Sequence, residues 1–331
     1  MAEPRDGLVV VTGGAGFIGS NIVLDLAQAG CRVVVVDHLR SGEKWRNIAT
    51  APLHDLLHPA ALFPWLEAHQ KSLAAIVHMG AISSTGETDI DRIVTTNIRL
   101  TLDLWQWCAA HSIRLIYASS AATYGDGSAG FHDDEDTAAL ARLEPLNAYG
   151  WSKHLVDRRV NDDVAAGRPV PPQWAGLKFF NVYGPNEGEK GDMRSVVSKI
   201  IPIALSGGTV TLFKSHHPDY PDGGQLRDFV YVGDCVAVVR WLLQNPEISG
   251  LFNVGTGIAR SFADLAAGVF AALGRPPRIG FVDTPANLRD KYQYFTQAEI
   301  GKLRAAGFRN DFRSLENGIR DYIEQYPVGL R

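Results

Sequence analysis

Cysteine is scarce in this chain of 331 residues, and long apolar runs are missing. The three cysteines, Cys31, Cys108 and Cys235, are odd in number, far apart and without metal-ligand spacing. That argues against a disulfide framework and a structural zinc site, and it makes buried, reduced thiols the expectation. No run approaches the length of a transmembrane helix. Residues 1–6 are polar and lead straight into an apolar strand, without the order of a signal peptide. These features point to the cytoplasm. Lys and Arg form no concentrated run and the net charge is −4, so neither nucleic acid nor a membrane is the expected partner. Low-complexity linkers and internal repeats are also lacking. What is present is a globular composition, 46% hydrophobic and 21% charged. It suits one large domain or two intimate ones around a sizeable core.

The chain is organised around L-V-V-V-T-G-G-A-G-F-I-G at residues 8–19. The apolar β-branched run suits a strand buried on both faces. Gly13, Gly14, Gly16 and Gly19 then form a turn into a helix expected over about 16–29, with Ile18, Ile22, Val23 and Leu26 on its buried face. Strand, glycine turn and helix make a phosphate cradle for a dinucleotide. A second strand at 32–36 ends in Asp37, eighteen residues after Gly19, where a carboxylate can accept bonds from an adenosine ribose. Asp37 alone favours NAD. His38, Arg40 and Lys44 follow it and can hold a 2′-phosphate, which favours NADP.

Further strands are expected at 74–78, 114–118 and about 176–180, with a helix over about 91–111 that turns Ile93, Leu100, Leu104 and Trp107 inward. This alternation implies an α/β fold with a doubly wound parallel Rossmann sheet. Ligands in such sheets sit beyond the carboxyl ends of the strands. The glycine turn, Asp37, Gly80-Ala81 and Ser119-Ser120 all fall there. Shorter mixed elements follow. The expected division is a dinucleotide-binding domain at 1–182 and a smaller mixed α/β substrate domain at 183–331, with about 228–256 packing back on the first.

Tyr149 and Lys153 are four residues apart and would share one face of a helix. A phenol with an ordinary pKa near 10 needs nearby positive charge to act as a base. Lys153 and an oxidised nicotinamide would provide it, and Ser120 could hold the substrate oxygen during hydride transfer.

These motifs resemble the extended short-chain dehydrogenase/reductase family over nearly the whole chain. The resemblance implies a Rossmann domain, a nicotinamide cofactor and a nucleotide-sugar substrate. A narrower resemblance, to ADP-glyceromanno-heptose 6-epimerases, is carried by residues 117–125, by F-F-N-V-Y-G-P-x-E-G-x-K-G at 179–191, by R-D-F-V-Y-V-G-D at 227–234, and by Y-Q-x-F-T-Q-A at 292–298. It implies hydride removal from C6, a transient 6-keto sugar and hydride return to the other face, in supply of heptose for lipopolysaccharide. It makes Lys190 the second proton-handling group beside Ser120, Tyr149 and Lys153. The cofactor contacts it implies are Gly13, Gly16, Phe17, Ile18 and Gly19 in the first turn, with Asp37, His38 and Lys44 after the second strand. Met79, Gly80, Ala81, Ser83 and Asn97 come next, then Tyr149, Lys153, Val182 and Lys190. The implied substrate contacts are Ser83, Asn181, Asp192, Lys199, Phe213, Lys214, Arg227 and Tyr292. Arg227 would clamp the diphosphate, because a guanidinium offers paired donors to phosphate oxygens. The implied cofactor is NADP, with NAD as the alternative, and the implied assembly is a homo-oligomer, with a pentamer as one form.

The chain departs from that pattern at Met79, Asp192 and Lys199, and in a longer loop at 214–226 that carries His216-His217. No third ligand is spaced to join those histidines at a metal. A UDP-hexose 4-epimerase would use the same Ser120, Tyr149 and Lys153 without Lys190. A 4,6-dehydratase would need an acid pair that Ser120-Ala121-Ala122 lacks. A non-catalytic cofactor sensor would be expected to lose the tyrosine or the lysine.

Overall fold

The computed structural model describes residues 7–285, 289 and 293–325. The chain opens with β1 (Leu8–Thr12), α1 (Phe17–Gln28) and β2 (Arg32–Val36), followed by β3 (Asp55–Leu57), α2 (Leu62–His69) and β4 (Leu73–His78). A helix then runs through α3 (Ile90–Ile93), a π-helical turn (Val94–Arg99) and α4 (Leu100–His111) into β5 (Arg114–Ser120). After α5 (Thr137–Ala141) and α6 (Ala148–Ala165) come β6 (Trp174–Phe179), β7 (Asn181–Tyr183) and α7 (Val196–Leu205). The later elements are β8 (Val210–Phe213), β9 (Leu226–Tyr231), α8 (Val232–Gln244), β10 (Gly250–Val254), β11 (Ala259–Ser261), α9 (Phe262–Ala272) and β12 (Ile279–Val282). Short helices at Gly301–Ala305 and Leu315–Gln325 end the described chain.

The main sheet has seven parallel strands in the order β10-β6-β5-β4-β1-β2-β3. Its middle strand is β4, and β1 beside it is buried along its whole length. Alternate β1 side chains serve opposite faces. Val9 and Val11 join Ile22, Val23 and Leu26 of α1 and Val238 and Val239 of α8. Leu8 and Val10 join Leu104 and Trp105 of α4 and Val156 and Val160 of α6. Each fully buried aliphatic or aromatic side chain contributes roughly 1.5–3 kcal/mol. A third cluster links Phe17 at the head of α1 with Tyr183, α7, α9 and the last helix. It ties the glycine turn to the later elements.

The acidic stretch after β5 is more ordered than its polar composition suggests. Asp133 Oδ2 accepts the amide of Asn253 at 2.8 Å, and Glu135 Oε1 accepts the amide of Leu251 at 2.8 Å. These carboxylates cover the exposed edge of β10, where unpaired donors would otherwise invite another strand. All three cysteines are buried. Among the described residues, no helix is long and apolar enough to cross a membrane.

Candidate active site

A cavity of about 1170 Å³ opens at the carboxyl ends of β1, β2, β4 and β5. Its walls include Gly13, Gly16, Phe17, Ile18 and Gly19 from the first turn. Asp37, His38 and Lys44 line one end, and Met79, Gly80, Ala81 and Ser83 another side. Ser120, Tyr149, Lys153, Val182 and Lys190 complete it. A single cavity thus gathers residues spread over most of the chain.

The residues fit a dinucleotide. Gly13 has φ +64°, and a Cβ there would lie 2.6 Å from the Gly80 backbone, so only glycine lets β1 and the β4 turn approach. A Cβ on Gly19 would lie 2.1 Å from the Gly13 carbonyl oxygen. No side chain caps the amino end of α1. Its first amides and helix dipole are suited to a pyrophosphate. At the carboxyl end of β2, the Asp37 carboxylate accepts bonds from the Ala15 amide (2.9 Å), the His38 amide (2.7 Å) and Lys44 Nζ (2.6 Å). Its charge is therefore largely matched by neighbouring donors.

On the cavity floor, Tyr149 and Lys153 rise from α6, whose amino end is capped by Asn147. Burial pushes the Tyr149 phenol up from its ordinary value, the Ser120 hydroxyl draws it down, and the Asp157 carboxylate raises it. Burial lowers the Lys153 ammonium to about 8, against an upward pull from Asp157.

Beneath this floor lies a relay that the sequence reading did not identify. The Gly80 amide donates to Thr12 Oγ1 (3.3 Å), which lies 2.6 Å from His78 Nδ1. His78 Nε2 lies 3.0 Å from Thr101 Oγ1, whose own proton goes to the Asn97 carbonyl at 2.7 Å. Thr101 must therefore accept from His78, which fixes the Nε2–H tautomer. Burial, and secondarily Lys153, lower His78 to about 3 and keep it neutral. Asn97 sits in the π-helical turn with its side chain buried. Its amide bridges both backbone groups of Ile82 (2.8 and 2.9 Å) and Ser152 Oγ (3.0 Å), and Ser152 in turn donates to the Tyr149 carbonyl at 2.7 Å. Asn97 was expected at the cofactor. It does not line the cavity, and it reaches that space only through the backbone it fixes. The one signal in the sequence was a histidine ending the apolar strand A-A-I-V-H.

Lys190 belongs to the turn Gly188–Met193, outside the regular elements. Its Nζ lies 5.3 Å from the centre of the Phe17 ring. Burial lowers its pKa, opposed by Glu187 and Glu189. Glu187 anchors this turn: it accepts from Ser195 Oγ at 2.6 Å, from the Ser195 amide, and from the Gly184 amide at 3.4 Å.

Of the expected substrate contacts, Ser83 lines this cavity, whereas Asn181, Asp192, Lys199, Phe213, Lys214 and Arg227 lie outside its walls. Thr296 Oγ1 donates to Asn181 Oδ1 at 3.4 Å. Lys199 Nζ donates to the Asp192 carbonyl at 2.7 Å, on an exposed surface. Lys214 pairs with Asp283 at 3.1 Å, and Phe213 precedes it as the half-buried end of β8. Arg227 is buried, donates to the carbonyls of Leu226 (2.8 Å) and Gln293, and lies 5.7 Å from the Phe262 ring centre. Tyr292 lies outside the described residues. His216 and His217 are exposed; the His216 amide donates to Tyr294 OH at 2.8 Å, and the His217 ring meets Tyr220 and Tyr294. Among the described residues no three His, Cys, Asp or Glu side chains group as metal ligands.

Comparison with known proteins agrees with this geometry. A protein named ADP-L-glycero-D-manno-heptose-6-epimerase from Nitratidesulfovibrio vulgaris (Hildenborough) is 48% identical over 328 residues, covering 96% of this chain and 98% of the relative. One of the same name from Fusobacterium nucleatum is 43% identical, with the same coverage of 96% and 98%. The crystal structure of the Helicobacter pylori protein of that name superposes with a TM-score of 0.78 at 27% identity, covering 98% and 97% of the two chains. Thermus thermophilus UDP-glucose 4-epimerase, solved in complex with NAD, superposes with a TM-score of 0.74 at 28% identity, covering 96% and 98%. The family model described as NAD dependent epimerase/dehydratase matches residues 9–255, and the chain belongs to that family.

Proposed function

We propose that this chain is an ADP-L-glycero-D-manno-heptose 6-epimerase, interconverting ADP-D-glycero-D-manno-heptose and its L-glycero epimer in the supply of lipopolysaccharide heptose. The observation that carries the reading is the 48% identity to a relative of that name over 96% of the chain. The cavity that joins Ser120, Tyr149 and Lys153 with Lys190 supports it.

Bound nicotinamide supplies a hydride acceptor and donor. The chain's own residues manage orientation and protons. Ser120 holds the C6 oxygen through its hydroxyl. Tyr149 accepts the C6 hydroxyl proton as the C–H bond gives up its hydride, leaving a 6-keto sugar. Lys153, one helical turn away, favours the phenolate by its charge. Rotation about C5–C6 presents the opposite face. Lys190, on the far wall, then gives a proton to the oxygen as the C–H bond re-forms. The two groups approach from different elements, as inversion requires.

We infer NADP as the preferred cofactor, with NAD as the alternative. Lys44 and the neighbouring amides offset the Asp37 charge, and His38 and Arg40 stand beside it to receive a 2′-phosphate. Arg227 is assigned to the diphosphate of the substrate, and Lys214 is assigned as a further substrate contact. The working division remains 1–182 for the dinucleotide and 183–331 for the sugar, in a cytoplasmic homo-oligomer. The test is proton NMR of the holoenzyme with ADP-D-glycero-D-manno-heptose and, separately, UDP-glucose. Appearance of the L-glycero epimer is expected. Turnover of UDP-glucose alone would overturn the assignment.

A further inference from the structure

One buried ion pair takes no direct part in this chemistry, yet it borders every group on the floor. Asp157 on α6 and Lys178 on β6 have fully buried side chains, with Nζ 3.1 Å from Oδ2. Asp157 also accepts from Tyr117 OH (3.1 Å) and Ser119 Oγ (2.7 Å). Lys178 donates to Thr123 Oγ1 at 2.8 Å and lies 4.6 Å from the centre of the Tyr124 ring. Thr123 in turn donates to the Ser120 carbonyl at 2.8 Å. The pair thus grips the residue before Ser120 and the turn after it. Asp157 also stands one turn beyond Lys153 and two turns beyond Tyr149 on the same helix.

Stability alone does not account for such a pair. Taking both charges out of water is expensive, and well-packed apolar replacements are often neutral or stabilising. An electrostatic task does account for it. A carboxylate near Tyr149 and Lys153 helps the ammonium and hinders the phenolate. A cation paired with that carboxylate reduces the hindrance. We propose that Asp157 and Lys178 are positioning residues whose paired charges hold Ser120 in place and balance the field between the Tyr149 phenolate and the Lys153 ammonium.

The inference rests on Tyr149 being the base. Other titratable groups around the floor and the pair are His78 from β4, His154 from α6, Lys190 across the cavity, and Asp133, which faces Lys178 from the stretch after β5. Tyr117 and Tyr124 flank the pair from β5 and the turn after it. The two histidines are held neutral by burial, at about 3 and about 4.

The experiment follows the tyrosinate absorbance of the holoenzyme against pH, with Tyr149→Phe as the subtraction reference, alongside the pH profile of kcat. The absorbance readout needs no sugar, so it stands even if the assigned substrate is wrong. Lys178→Met should raise the Tyr149 midpoint and the acid limb of kcat by about one unit, because the carboxylate loses its counter-charge. Asp157→Asn should move both the other way. The double variant should return toward wild type, and Lys178→Arg should retain the wild-type midpoint. Unmoved midpoints in both folded single variants, or shifts of the same sign, would overturn the proposal. Should Lys178→Met not fold, Ser119→Ala strips a neutral donor from the same carboxylate. It should then raise the midpoint by a fraction of a unit, and no shift would count against the proposal.

Discussion

The floor of the cavity and its far wall hold the two residues proposed to handle protons in different ways. Tyr149 stands on an 18-residue helix, cross-linked through Ser152, Asn97, Thr101 and His78 to three other elements. Lys190 stands on a six-residue turn, interrupted at Gly191 and anchored by Glu187. The floor groups must keep their geometry to the cofactor in both half-reactions. The wall must admit and release a bulky nucleotide sugar. A cross-linked helix on one side and a short anchored turn on the other is the arrangement those tasks call for.

The comparison breaks first if the two bases are not both needed. Tyr149→Phe and Lys190→Ala should each reduce net C6 inversion by about 10²–10⁴-fold. Cofactor should remain bound, as read by nicotinamide fluorescence. Full epimerase activity in Lys190→Ala would remove the wall from the chemistry.

The buried relay gives the floor an acid limit. His78 is neutral in the fold, whereas an exposed imidazole gains its proton near 6.5. Between about 6.5 and about 3 the unfolded chain binds more protons, so stability falls as pH falls through that window. Urea unfolding at pH 7 and near pH 4 should differ by about 3 kcal/mol from this group. The difference should shrink in His78→Gln.

Glycine substitutions sharpen the contrast. Gly19→Ala drives a Cβ into the Gly13 carbonyl and should cost about 1–3 kcal/mol in thermal or urea unfolding, with weakened cofactor binding. Gly191→Ala meets open space but keeps φ at +53°. That strain should cost about 1–3 kcal/mol, and the effect should also fall on kcat and KM. Smallest of all, Glu187→Gln weakens the bonds to Ser195 while keeping their shape. A few-fold rise in KM with little change in melting temperature is expected.

Much of the floor was legible in the sequence because its elements are extreme cases. β1, β2 and β4 are apolar runs buried on both faces, and the residues that end them line the cavity. β3 escaped notice because three half-exposed residues, Asp55–Leu57, carry no such run. The order of the acidic stretch after β5 was not legible because the amides that Asp133 and Glu135 accept lie over a hundred residues away. The Asn97 relay and the Asp157–Lys178 pair were hidden for the same reason. Each partner looks ordinary until the sheet brings it to the others. The substrate wall was least legible: Arg227 and Lys214 came from the resemblance, and neither lines the cavity.

The most direct measurement is proton NMR of ADP-D-glycero-D-manno-heptose with the holoenzyme in D₂O. Direct hydride removal and return predicts the L-glycero epimer with its C6 hydrogen retained. Deuterium at C6, or no L-glycero product at all, would contradict the account.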